Sequence, residues 1–251
     1  DSIEVGADAK SHLKDDPDNV VVGIKRQMGK EFPLEYGGRT LTPEGMSALI
    51  LKRLARDAAS ALGCRTDELR AVITVPAYFG VAEREATHAA ARIAGLECME
   101  LLAEPVAAAY AYGAHEDSST TSLVFDLGGG TFDVAVVGVD RGSPRIWAVD
   151  GETRLGGLDW DARLAGLLWE QVERQAGDDE LRDDDEFVGA LNAAAEQVKR
   201  QLSQSDSAPK SLRYGRQRFA LSVSRADFET ATRDLVLQCG ASVERACNAA
   251  R

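Results

Sequence analysis

The stretch VFDLGGGTFDVAVV, from Val124 to Val137, sets Gly128, Gly129 and Gly130 between Asp126 on one side and Thr131 and Asp133 on the other. Three glycines in a row strip every Cβ from a turn, so backbone N–H groups can close on an anion. Thr131 adds a hydroxyl donor. Asp126 and Asp133 repel a bare phosphate. They become useful if a divalent cation with its water shell sits between them and the phosphate oxygens. A purely structural hairpin turn is the competing reading. It accounts for one glycine or two, but not for three bracketed by two carboxylates and a threonine.

Two other phosphate motifs do not fit. A dinucleotide fingerprint needs G-x-G-x-x-G opening a helix, whereas here Thr131, Phe132 and Asp133 follow the glycines and the third glycine is missing. The next residues, VAVVGV, are β-branched and strand-like. The nearest approach to a Walker loop is Gly29-Lys30, but Ile24 stands where the first glycine belongs and Glu31 follows the lysine. Strand, glycine turn, strand is left, which is a β-hairpin.

The elements that must hold this hairpin alternate between helix and strand, so the predicted class is α/β. Thr42 caps a helix with Pro43 at its first position and Gly63 at its end. AVITVPAYF is a strand stopped by Pro76, VAEREATHAAARIAG a helix stopped by Gly95, and CMELL a short strand. EPVAAAYAYG is a short helix with Pro105 first and Gly113 last, and AHEDSSTTS is the best lobe boundary. RIWAVDGE is a strand and GGLDWDARLAGLLWEQVERQ a long helix. GDDELRDDDE is an acidic, solvated connection, and a helix runs roughly from Phe187 to Leu202. RFALSV is a strand, and Ser224 with Asp227 opens the closing helix.

Composition narrows the function. The chain has 251 residues, enough for one large domain or two smaller ones, and is 44% hydrophobic and 28% charged. A net charge of −12 argues against a nucleic-acid surface, though a local cradle can bind phosphate against it. Cys64, Cys98, Cys239 and Cys247 show no metal-ligand spacing and read as buried free thiols. No apolar run reaches membrane-span length and DSIEVGADAK is no signal peptide, so no membrane partner and a cytoplasmic location are expected.

With these residues in view, the chain resembles the ATPase domain of the seventy-kilodalton heat-shock chaperones of the DnaK type. The glycine stretch is similar to that family's second phosphate loop. IKRQMGKEF, VITVPAYFGVAEREAT, RIAGLECMELLAEPVAAAYAYG, DGETRLGGLDWDARL and AAEQVKRQLS agree with it in order. The resemblance implies an actin-like (ribonuclease H-like) fold: two lobes, mixed sheets flanked by helices, nucleotide between them. Residues 1–117 would be part of the first lobe and 118–251 part of the second, with 155–251 mostly its outer helical subdomain.

Roles follow residue by residue. Lys25 resembles the lysine that reaches the terminal phosphate and the attacking water, although alone it reads as a surface lysine. Glu104 resembles the carboxylate holding the metal's water shell, and alone reads as a helix N-cap. Asp126 resembles the metal-water and nucleophile-orienting carboxylate, Thr131 a phosphate-side hydroxyl, and Asp133 a ligand of a monovalent cation or of magnesium through water. Gly156 and Gly157 resemble the glycines near the phosphates in the second lobe. Glu196, Lys199 and Ser203 resemble the adenosine-contacting face of a helix, their spacing placing them on one side. Pro76 and Arg84 resemble the relay to the peptide-binding domain.

The resemblance implies ATP/ADP and Mg2+ as cofactors, with K+ besides. It implies unfolded client peptides bound by another domain, a J-domain co-chaperone and a nucleotide-exchange factor as partners, and a role in protein folding under stress. Other readings of the same fold are a non-hydrolysing ATP sensor or scaffold, a sugar kinase and an actin-like filament protein. The sequence departs from the family at Gly80-Val81, where an Asn-Asp pair is usual, and is short between Phe32 and Leu41. A first phosphate hairpin of the type GIDLGTT and an adenine loop of the type GGxxRxP do not occur in it. It therefore reads as an internal piece, expected to bind ATP weakly and to be marginally stable alone.

Overall fold

A computed structural model describes residues 3–14, 16–36, 39–112, 119–140, 143–176 and 180–251. Along the chain come α1 (Ala7–Ser11), β1 (Leu34–Tyr36), β2 (Arg39–Leu41), α2 (Pro43–Leu62), β3 (Arg70–Val75), α3 (Val81–Ala94), β4 (Glu97–Ala103) and α4 (Glu104–Ala111). Then follow β5 (Thr120–Leu127), β6 (Phe132–Asp140), β7 (Ser143–Glu152), α5 (Gly157–Ala176), α6 (Asp185–Leu202), β8 (Ser207–Tyr214), β9 (Gln217–Ser224) and α7 (Arg225–Ala249). The α/β class is as expected. The chain divides into two compact units, Gly23–Arg154 with Cys239–Arg251, and Asp1–Val22 with Leu155–Gln238.

In the first of these units, α2 forms where its caps dictate. The Thr42 hydroxyl accepts from the Gly45 N–H at 3.2 Å, Pro43 opens the helix, and Gly63 stops it with φ 67°. β3, α3 and β4 make a βαβ unit with parallel strands, and Val75 stands beside Ala103 at their C-terminal ends. Met28, Val75, Phe79, Ala86 and Ala90 form its core. Gly29, at φ 72°, lies against the first turn of α3; a Cβ there would sit 2.9 Å from the Glu83 backbone nitrogen. β5, β6 and β7 form an antiparallel sheet in that order. Its central strand β6 is buried from Phe132 to Val139, whereas Leu123, Phe125 and Leu127 of β5 are exposed. Ala109 of α4 packs on Ala135 and Val137.

In the other unit, α5 and α6 cover one face of the β8–β9 hairpin around Leu164, Leu168, Phe187, Leu191 and Phe219. Phe187 meets Trp169, Tyr214 and Phe219 edge-on. Asp184 caps α6, its Oδ1 accepting from the Phe187 N–H at 2.7 Å. Gln171 and Gln175, one turn apart on α5, bond along β9. On β9 each side-chain amide donates to the carbonyl and accepts from the N–H of a single residue, Ser222 for Gln171 (2.9 and 2.9 Å) and Ala220 for Gln175 (3.1 and 3.2 Å).

Several expectations change. α6 begins at Asp185, two residues before the expected start. β8 was not foreseen. α4 starts at Glu104 with Pro105 second, and Ala103 is its N-cap, so Glu104 is not a capping carboxylate. The described end of the acidic run is a 3-10 turn, Glu180–Asp183, followed by the α6 cap, rather than a plain solvated connection. All four cysteines are free, but only Cys239 is buried; Cys64, Cys98 and Cys247 are partly exposed. Gly113, the boundary at 117/118 and residues 177–179 of the acidic run lie outside the described residues. No helix among the described residues is long and apolar enough to cross a membrane.

Candidate functional site

The hairpin forms as predicted. Leu127 pairs with Phe132, and the Gly128 N–H donates to the Thr131 carbonyl at 3.0 Å, closing the glycine turn. Asp126 stands directly opposite Asp133, so both side chains share one face of the sheet. Asp126 is exposed; Thr131 and Asp133 are buried. The Thr131 hydroxyl donates to Asp133 Oδ2 at 3.1 Å, while Asp133 Oδ1 is buried with no hydrogen-bond partner. Burial pushes the Asp133 carboxyl up to about 6; Glu104 and Asp126 add to the rise, and Thr131 and Lys25 oppose it.

Lys25 reaches this group from the 3-10 turn Ile24–Gln27, which follows Gly23 at φ 68°. Its Nζ donates to Glu104 Oε1 at 2.8 Å. The parallel register explains the meeting place. Val75 and Ala103 end their strands side by side, so Pro76 and Glu104 leave the sheet together at its carboxyl end, where open α/β sheets place their ligands. Pro76 and Arg84 belong to the same β3–α3 turn. The Phe79 N–H donates to the Pro76 carbonyl, and Arg84 Nε to the Phe79 carbonyl, each at 3.1 Å.

Two further side chains reach the hairpin, and sequence reasoning missed both. The Tyr78 hydroxyl is hydrogen-bonded to Thr131, and burial followed by the charge of Asp133 pushes it up to about 12. Arg26, next to Lys25, donates from Nε to the Gly130 carbonyl at 2.7 Å. The available signal was position alone: Tyr78 lies in the quoted VPAYF, and Arg26 in IKRQMGKEF.

Among the described residues no three His, Cys, Asp or Glu side chains converge to ligate one ion directly. A cation here would therefore be held through water or ligand oxygens. The orphaned Asp133 oxygen, beside Asp126 and Glu104, fits such an ion.

The remaining expected residues lie in the other unit, each with partners in the protein. The Gly156 N–H donates to Asp159 Oδ2 at 2.8 Å. Lys199 donates to the Gly157 carbonyl at 2.9 Å and pairs with Asp161 at 2.7 Å. Glu196 pairs with Lys10 at 2.6 Å and Arg200 at 2.8 Å, and the Lys10 hydrogen bond holds its carboxyl below the usual range. The Ser203 hydroxyl is 3.5 Å from the Lys199 carbonyl.

Fold and site together define an α/β protein that carries a glycine-tipped hairpin and a lysine–carboxylate pair in one unit, with Glu104 at the end of a parallel strand. The family described as "Hsp70 protein" matches residues 33–251. Over 249 residues the chain is 39% identical to "Chaperone protein DnaK" of Halobacterium salinarum strain R1, covering 96% of this chain and 39% of that protein. The same protein of Halobacterium salinarum strain NRC-1 matches with the same identity and coverage. The chain belongs to the Hsp70 family and has the actin-like fold of its ATPase domain. It spans about two fifths of the length of these relatives, 39%.

Proposed function

We propose that the chain is the nucleotide-binding part of a molecular chaperone that binds ATP and hydrolyses it to ADP and phosphate. The observation that carries this reading is the glycine turn with Thr131 and the orphaned Asp133 oxygen behind it and the Lys25–Glu104 pair in the same unit. Backbone N–H groups of the turn hold phosphate oxygens, and the Thr131 hydroxyl stands at their edge. Lys25 stabilises charge on the terminal phosphoryl group as water displaces ADP from phosphorus, and Asp126 orients that water. Glu104, Asp126 and Asp133 hold hydrated Mg2+, with K+ a second ion for Asp133; the metal supplies charge neutralisation. Catalysis is positioning and electrostatics, with no covalent intermediate.

Gly156, Gly157, Glu196, Lys199 and Ser203 are the proposed second-lobe contacts to phosphate and adenosine, within lobes divided as 1–117 and 118–251. Unfolded client peptides, bound by another domain to which Pro76 and Arg84 relay the nucleotide state, a J-domain co-chaperone and a nucleotide-exchange factor are the proposed partners, in the cytoplasm. The test is calorimetric titration with Mg·ATP followed by single-turnover hydrolysis. Saturable binding and phosphate release support the proposal. Binding without release makes the chain an ATP sensor. No binding, by this chain or by one extended to the length of its relatives, refutes both.

A further inference from the structure

We propose that Arg26 is a positioning residue for the anion-binding turn: by holding the Gly130 carbonyl it aims the Thr131 N–H at the ligand. The inference rests on the nucleotide reading above and deepens it.

The Arg26 Nε–H donates to the Gly130 carbonyl at 2.7 Å, in a partly buried contact spanning 104 residues of sequence. A trans peptide is planar and points its C=O and N–H in opposite directions. No described peptide bond is cis. Fixing the Gly130 oxygen on Arg26 therefore turns the Thr131 N–H to the opposite side. The orientation of this peptide is set by ψ of Gly130 and φ of Thr131, and a glycine, with no Cβ, restrains its own ψ less than any other residue would. A flip at Gly130–Thr131 would replace a donor by a carbonyl oxygen, which repels phosphate. A guanidinium on that carbonyl makes the donor orientation the stable one.

Gly129 and Gly130 then have separate reasons. A Cβ on Gly129 would meet nothing within 4 Å, so its bare backbone faces open space where a ligand can approach. A Cβ on Gly130 would lie 3.0 Å from Arg26 Nε and 3.7 Å from its Cγ and Cδ. The third glycine is thus reserved for the arginine. Lys25 and Arg26 are consecutive on one 3-10 turn, so the element that delivers the lysine to Glu104 also clamps the glycine turn. Lysine is a poor substitute, since its ammonium cannot place a planar Nε–H against the carbonyl.

The experiment compares wild type, Arg26→Gln, Arg26→Lys, Gly130→Ala and Arg26→Gln/Gly130→Ala, using Mg·ATP calorimetry and amide hydrogen exchange in the ligand-free chain. Arg26→Gln is expected to weaken Mg·ATP by about 10- to 100-fold, with Arg26→Lys recovering little of it. The Gly128 amide, which closes the turn, should exchange at least about tenfold faster in Arg26→Gln, and the double variant should bind no worse than the poorer single one. Wild-type-like affinity and exchange in Arg26→Gln, or full recovery by Arg26→Lys, overturn the positioning role and leave the nucleotide reading standing. A wild-type chain that takes up no Mg·ATP, while its relative-length extension also takes up none, removes both.

Discussion

Asp126 and Asp133 face each other across the β5–β6 ladder, one in solvent and the other buried with an unpartnered oxygen. Folding therefore makes Asp133 a weaker acid, about 6 against 3.8. The folded state holds the proton more tightly than the unfolded one, so the charged form is a burden above pH 6. That burden, about 3 kcal/mol, is relieved as pH falls from 7 towards 4. Asp133→Asn should stabilise the chain by about 2 kcal/mol at pH 7 in urea unfolding, and the gain over wild type should vanish near pH 4. The same variant should lose cation-dependent nucleotide binding. A gain that does not shrink with pH would show that Asp133 is ionised at no cost.

Lys25→Met should leave Mg·ADP affinity within about tenfold of wild type and slow single-turnover hydrolysis by about a hundredfold or more, since its charge is needed most where negative charge develops. Quenched-flow measurement of phosphate release reads this directly. An equal loss in both quantities would make Lys25 a ground-state binding residue.

Removing both glutamines from α5, as Gln171→Ala with Gln175→Ala, deletes four hydrogen bonds to β9. Because these groups are solvent-accessible, the cost should be about 1–3 kcal/mol by urea unfolding. The uncovered strand edge should also raise self-association in sedimentation, which a merely weakened helix contact would not do.

Lys199→Met strands Asp161, whose side chain is 17% exposed, and frees the Gly157 carbonyl. A loss of about 1–2 kcal/mol is expected without any nucleotide present. Adenosine affinity must therefore be compared at temperatures where both proteins are folded. If stability is untouched, the pair contributes nothing to the unit.

Local chemistry made much of this legible. Thr42, Pro43 and Gly63 bracket α2 where the capping rules place it, and the glycines with flanking β-branched runs announce the hairpin. β8 escaped because Pro209, Lys210 and Arg213 interrupt its pattern, and between the buried Ala208 and Leu212 the core-facing position is taken by Lys210. The links that assemble the site, Lys25 to Glu104 and Arg26 to Gly130, span 79 and 104 residues and leave no periodic trace. Family likeness supplied Lys25 and Glu104. Tyr78 and Arg26 needed coordinates, since a tyrosine in a turn and a second basic residue beside a lysine look ordinary.

Gly29 meets the first turn of α3 main chain to main chain, with no room for a methyl group between them. Such a joint has no rotamers to absorb displacement. The segment that carries Lys25 and the helix bearing Arg84 are thereby held at main-chain distance, and any side chain at position 29 would force them apart.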